Sequence, residues 1–184
     1  MTVGLLVAAY LAACNVARTR LGVPEGGSGR ARPGVLVGGS VLAFGVVAAL
    51  AGLSGPLLRS LEITPETFRI GAGFIAVIAA TVVLAVPRPA AEPVPRRWRA
   101  AIWPVAFPLL AGPEVLALAV ATGSQEGVPA TLAAAAVALA GLVALGFLPR
   151  RPLSDRFLVW ASRLLGAVLL LVGIWLAVDG IRDV

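Results

Sequence analysis

Few side chains in this sequence can do chemistry, and one of them stands where a charge is expensive. Glu114 lies in RAAIWPVAFPLLAGPEVLALAVATG (residues 99–123), a largely apolar run that also holds Pro104, Pro108 and Pro113. Counted from Arg99 on an ideal helix, it sits about 22 Å along, well inside a hydrocarbon layer roughly 30 Å thick. A lone carboxylate at that depth is costly unless it is protonated or paired. Glu114 is therefore a candidate proton or cation site. The alternative is a structural ion pair with Arg69 or Arg163, or a side chain reaching an aqueous vestibule.

The backbone beside it is a second candidate. Proline removes an amide donor and displaces the carbonyl four residues earlier, so Gly112-Pro113 predicts a helix break that frees polar backbone groups. Lipid cannot satisfy such groups, and a broken helix at membrane depth belongs where it lines a polar cavity or is buried by protein. Gly112, Pro113 and Glu114 are thus grouped as one substrate or ion site. Asn15 is, with Tyr10, the strongly polar side chain of the first apolar run; it reads equally as a helix cap and as a binding group. Arg69 and Arg163 are candidates for gating or charge pairing.

Other chemistries are excluded by inventory. There is no His and one Cys, Cys14, so no zinc cage, Ser-His-Asp triad, Cys-His dyad or internal disulfide can form. Glu114 has no second acid in its span. No catalytic residue, metal set or cofactor is expected, and the chain is not read as an enzyme. Gly71-Ala72-Gly73 lacks the downstream Gly and Lys-Ser/Thr of a phosphate loop. All fifteen basic residues are Arg and give a net charge of +6 against nine acids. Most of them lie in connections between apolar runs, where they set orientation, and no nucleic-acid motif accompanies them.

The elements that must hold these groups follow from hydropathy. With 184 residues, 59% hydrophobic, 13% charged and a mean hydropathy of +0.97, the chain is no water-soluble globule. Apolar runs near 1–17, 34–55, 66–86, 100–122, 129–148 and 157–178 predict six membrane helices. Gly55-Pro56 is expected to stop the second. Thr64-Pro65-Glu66 supplies a cap, a pre-set φ and an acid for the third. Ser154-Asp155 is expected to cap the sixth and Gly180 to close it.

Arginines crowd the first, third and fifth connections: Arg18, Arg20, Arg30 and Arg32, then Arg88, Arg96, Arg97 and Arg99, then Arg150, Arg151 and Arg156. The positive-inside rule puts those connections in the cytoplasm and both termini outside.

Pro24 to Gly29 reads as a flexible connector. Pro87 to Pro95, with four prolines, reads as a stiffer one. The second divides the chain into a three-helix unit (1–86), a cytoplasmic proline- and arginine-rich linker (87–99) and a second three-helix unit (100–184). With three crossings each, the units enter from opposite sides, so any repeat is inverted. FRIGAG (68–73) and SRLLGA (162–167) echo this, aligning Arg69 with Arg163.

Leu11-Ala12-Ala13-Cys14 imitates a lipoprotein cleavage box, but a secretory signal carries its positive charge before the apolar run and this one carries it after. An uncleaved first span with Cys14 as a packed thiol is expected instead. Gly34 and Gly38 form a GxxxG, and with Gly71, Gly73, Gly141, Gly166 and Gly173 they predict close helix contacts. Trp98, Trp160 and Trp175 are expected at the interfaces.

AIWPVAFPLLAGPEV (101–115) resembles the AIVPLAIPLLAGPG stretch of MarC-type membrane proteins, the neutral amino acid transporter family. FRIGAGFIAVIAA (68–80) is similar to that family's third-helix motif, and SRLLGAVLLLVGIWLAVDGI (162–181) to its last helix. The likeness runs from about residue 66 onward; residues 1–60 match mainly in span layout. It implies an all-α, six-helix bacterial-type inner-membrane protein of the LysE-like superfamily, built as two inverted three-helix repeats. It also implies binding roles for Gly112, Pro113 and Asn15. Two departures stand out: Val16 follows Asn15 where the family has Pro, and Glu114 stands where the family commonly has Gly.

The expectation is a multi-pass carrier of small polar solutes, neutral amino acids or related metabolites, coupled to protons through Glu114. Its partners are a small-molecule substrate and the lipid bilayer, without nucleic acid, and a homo-oligomer is compatible with its small-residue faces. The alternative is a non-transporting membrane scaffold that works through those faces.

Overall fold

Long runs of Leu, Val and Ala reach a lipid-compatible state by bonding every backbone group within one segment, which a helix does. The computed structural model describes residues 2–22, 33–86, 101–147 and 155–184, and among these the regular elements are all helical. They are α1 (Val3–Cys14), α2 (Val16–Gly22), α3 (Pro33–Ser60), α4 (Pro65–Ala85), α5 (Pro113–Gln125), α6 (Val128–Phe147) and α7 (Asp155–Arg182). A segment of wide, irregular turns, Ala101–Leu110, precedes α5.

Four helices are long and apolar enough to cross a bilayer: Gly34–Ser60, Pro65–Ala85, Val128–Phe147 and Arg156–Arg182. Ala101–Leu110 and Pro113–Gln125 together make a fifth candidate, bent by 63°. The first apolar run is shorter, because α1 has 12 residues and stops at Asn15.

Local punctuation explains most boundaries. Thr64 caps α4, its Oγ1 accepting from the Thr67 amide at 3.2 Å, with Pro65 and Glu66 in the first turn. Pro56 does not stop the second span. Its helix continues to Ser60, held by Leu58, which is buried in the bundle. Gly180 likewise does not close the last helix, which runs to Arg182, since Gly180 is used for contact with α4. Ser154, Trp98, the Pro24–Gly29 connector, the 87–99 linker and the arginines at 30, 32, 88, 96, 97, 99, 150 and 151 lie outside the described residues.

The most extensive packing is between α4 and α7, which run antiparallel: Glu66 and Ile70 meet Gly180, Gly73 meets Gly173, and Val83 meets Gly166. A Cβ on Gly73 would lie 2.6 Å from the Gly173 carbonyl oxygen and 2.7 Å from the Ala177 nitrogen, so the two backbones touch because no side chain intervenes. The GxxxG of α3 does not act as a unit. Gly34 faces open space, while Gly38 and its neighbour Gly39 pack on Ala101. Gly71 is also open.

Elsewhere α3 packs on α5, α6 and Ala101–Leu110, α1 on α6 and α7, α2 on α7 and α6, and α5 on α4. Ile78, Trp160, Leu164 and Leu171 are each more than 60% exposed, whereas Tyr10, Asn15, Thr122, Thr131 and Ser162 are buried. An apolar exterior around polar interior groups is what a lipid solvent selects.

Candidate functional site

Three prolines shape one side of the site. The residue before each is extended: Trp103 at φ −127°, ψ 124°, Phe107 at φ −135°, ψ 128°, and Gly112 at φ −69°, ψ 163°. The proline ring crowds the preceding residue out of the helical region, which accounts for all three. The irregular segment therefore ends at Gly112, and α5 starts at Pro113 with Glu114 in its first turn. The bend also means that the straight-helix depth reckoned for Glu114 from Arg99 does not apply. Freed groups are partly recovered: the Ala111 amide donates to Ala106 O at 2.8 Å, and the Val115 and Leu116 amides both donate to Gly112 O at 3.0 Å.

The Glu114 carboxylate folds back over its own helix terminus. Its oxygens lie 2.6 and 2.7 Å from where a Cβ on Gly112 would be, so only glycine leaves it that position. The carboxylate is half-buried, and α5, which carries it, packs on α1.

The first apolar run is broken too. Asn15 adopts the left-handed conformation (φ 35°, ψ 69°), which Asn tolerates better than most residues, and it separates α1 from α2 although Val rather than Pro follows. Its Oδ1 accepts from the Arg18 amide at 3.0 Å, capping α2, and its Nδ2 donates to Ser162 O on α7 at 3.1 Å. Thr19 Oγ1 donates to Cys14 O at 3.1 Å, covering a carbonyl the break would otherwise expose to lipid. Asn15 is thus a cap, and a buried one. The two interrupted helices pack on one another, α1 touching α5 and α2 touching Ala101–Leu110.

Arg69 and Arg163 are not partners of Glu114 here. Arg69 is buried on α4 and forms salt bridges with Asp179 of α7 and with Asp183, just past the end of that helix. With its amide oxygen turned toward Arg69, Gln125 of α5 accepts from Nε at 3.2 Å and from Nη2 at 3.3 Å. Arg163 is exposed at the opposite end of the antiparallel α4–α7 pair. Between the breaks and the Arg69 cluster lies a third polar group. Thr122 Oγ1 donates to Leu118 O at 2.8 Å and is joined by Tyr10 Oη and Thr131 Oγ1, each at 3.1 Å.

Arg18, Ser162, Asp179 and Asp183 were not singled out as site residues from sequence. Arg18 counted as a connection charge. The signal for it was the Asn-x-x-Arg spacing, which puts Arg18 on the first turn after a cap. Asp179, in the last turns of α7, and Asp183, just past its end, supply the counter-charge that a buried Arg69 demands. Ser162 carries no sequence signal.

An apolar-surfaced helical bundle with two interrupted helices packed on one another and a half-buried carboxylate beside one of the breaks defines a multi-pass integral membrane protein. The model of the MarC family of integral membrane proteins matches residues 22–184, and the chain belongs to that family. The match begins after the first apolar run, so Asn15 and Arg18 fall outside it. Neither the curated proteins nor the solved structures searched gave a match.

Proposed function

We propose that the protein is a carrier of small polar solutes, with neutral amino acids or related metabolites as its substrates. The observation that carries this is a pair of interrupted helices, broken at Asn15 and at Gly112 with Glu114 in the first turn after the second break, packed on one another inside a bundle whose exterior is apolar. Broken helices at membrane depth present backbone donors and acceptors to a solute, which straight helices cannot. In this reading Gly112 and Pro113 open the backbone, Asn15 holds the opposite wall, and Glu114 exchanges the coupling proton. Arg69, with Asp179 and Asp183, ties one end of α4 to α7 and releases it when that end opens.

Two inverted three-helix repeats fit the packing. α4 lies on α7 and α3 on α6; α1 lies on α6 as Ala101–Leu110 lies on α3, and α2 on α7 as α5 on α4. When the halves are swapped, the first two pairings map onto themselves and the others exchange with their counterparts. We place the chain in a bacterial-type inner membrane with six crossings and both termini outside, on the arginine distribution.

Proteoliposomes test the carrier directly. Protein-dependent uptake or release of alanine, glycine or serine is expected, with a dependence on the imposed proton gradient. Absence of flux in both directions at every gradient overturns it. A second reading, a non-transporting scaffold, draws on the open glycines of α3 (Gly34, Gly45, Gly52) and the adjoining apolar groove between α3 and α6, about 530 Å³ and lined by Val37, Val41, Phe44 and Val143. Glu114→Gln separates the two, because it abolishes gradient-dependent flux in a carrier and leaves partner recovery from a scaffold unchanged.

A further inference from the structure

We propose that the Asp155 end of α7 holds an anionic phospholipid, its headgroup phosphate taken by Arg156 and Arg163 and one acyl chain lying along the apolar face beyond them. Such a site stands whatever solute the protein carries.

Arg69 and Arg163 occupy matching places in the FRIGAG and SRLLGA stretches, one on each helix of the α4–α7 pair. What neutralises them differs. Arg69 is buried and bridged to Asp179 and Asp183, whereas Arg163 is exposed and, like Arg156, has no ion partner among the described residues. In α7, a helix of 28 residues that begins at Asp155, Arg163 lies in the third turn. That is about 12 Å along a rod of about 42 Å. With a hydrocarbon layer roughly 30 Å thick, a centred α7 puts Arg163 just inside the layer's edge, where an exposed guanidinium needs water or an anion. Lipid phosphate is the anion found at that edge.

Arg156, Trp160 and Arg163 follow helical spacing, so they share one face, and all three are exposed. Helical side chains lean toward the N-terminus, so Arg163 reaches back toward the headgroups. Arginine offers phosphate two parallel donors, and tryptophan favours the interfacial layer. The same face continues with Leu164, Leu171 and Ile174, which are 68%, 67% and 48% exposed. From Arg163 to Ile174 is about 16 Å of helix, close to the roughly 15 Å of hydrocarbon in one leaflet. Phosphate, ester region and acyl chain thus meet cations, an indole and apolar side chains in that order. At the other end of α7, Arg69 and Arg182 are balanced by Asp179 and Asp183, and no such excess of positive charge remains.

Full-length protein in a neutral detergent, titrated with phosphatidylglycerol, phosphatidylcholine or inorganic phosphate, tests this through its thermal midpoint, which a ligand of the folded state raises. Phosphatidylglycerol is expected to raise the midpoint saturably, and the other two are not. Arg163→Gln and Arg156→Gln should each shift half-saturation upward about fivefold, the effect of one arginine near an anionic surface. Arg182→Gln, on the same helix, should leave it unchanged. In vesicles, phosphatidylglycerol brominated on its acyl chains should quench the emission contributed by Trp160, taken as the difference between the unaltered protein and Trp160→Phe, more than brominated phosphatidylcholine does. The titration of the unaltered protein needs no variant to fold. An equal response to phosphatidylcholine overturns the proposal, as does a phosphatidylglycerol response that both glutamine variants retain. A response to inorganic phosphate as large as that to phosphatidylglycerol identifies a free-anion site and overturns it too. None of these outcomes touches the carrier reading.

Discussion

Asn15 does three jobs with one side chain: it ends α1, caps α2 and ties the first span to α7. Replacing it with alanine removes two side-chain hydrogen bonds and leaves a strained left-handed residue. A loss of about 2–3 kcal/mol is expected, combining a cap and a buried bond. It would be read as a lowered midpoint in thermal unfolding of the detergent-solubilised protein. The Arg69 cluster is graded by exposure, since the Asp179 side chain is 31% exposed and that of Asp183 is 52% exposed. Asp179→Ala should therefore destabilise by about 1–3 kcal/mol and Asp183→Ala by under about 1 kcal/mol, because the more exposed pair is better screened. Equal effects in the same unfolding assay would contradict this ordering.

At the scale of helices, the α4–α7 seam is set by missing side chains. Gly73→Ala puts a methyl group against the backbone of Gly173 and Ala177 and should cost about 1–3 kcal/mol as the helices part. Gly71→Ala, two residues away and facing open space, should be neutral or stabilising by up to about 1 kcal/mol through helix propensity. Thermal unfolding of the two variants side by side checks the contrast. Much of this architecture was legible in the sequence. The long spans follow from uninterrupted apolar runs, the start of α4 from Thr64-Pro65, and the Gly112 break from Pro113. What escaped was decided by tertiary context. Pro56 looks like a stop, but burial of Leu58 carries the helix past it. The Asn15 break has no proline to announce it and depends on Ser162, 147 residues away in sequence. The GxxxG spacing names residues on α3 but not which of them meets a neighbour: Gly38 and the adjacent Gly39 do so, and Gly34 does not.

Among the described residues, large apolar side chains cover much of the exterior, and most of the buried polar groups gather in three clusters that span α1, α2, α4, α5, α6 and α7. Charge distribution adds a direction, with the arginine-rich connections expected on the cytoplasmic side. Val184→Cys in a Cys14→Ala background should accordingly react with a membrane-impermeant maleimide added outside spheroplasts, and protection until lysis would reverse the orientation. The carrier reading requires more than orientation: the space between the two breaks must be wet and reachable from both sides of the bilayer. Glu114→Cys in the same background, reconstituted and exposed to a water-soluble thiol reagent from one side at a time, measures this. Modification from each side, slowed by alanine, is the expected result. A thiol that stays unmodified from both sides, while remaining reactive in the unfolded protein, would contradict it.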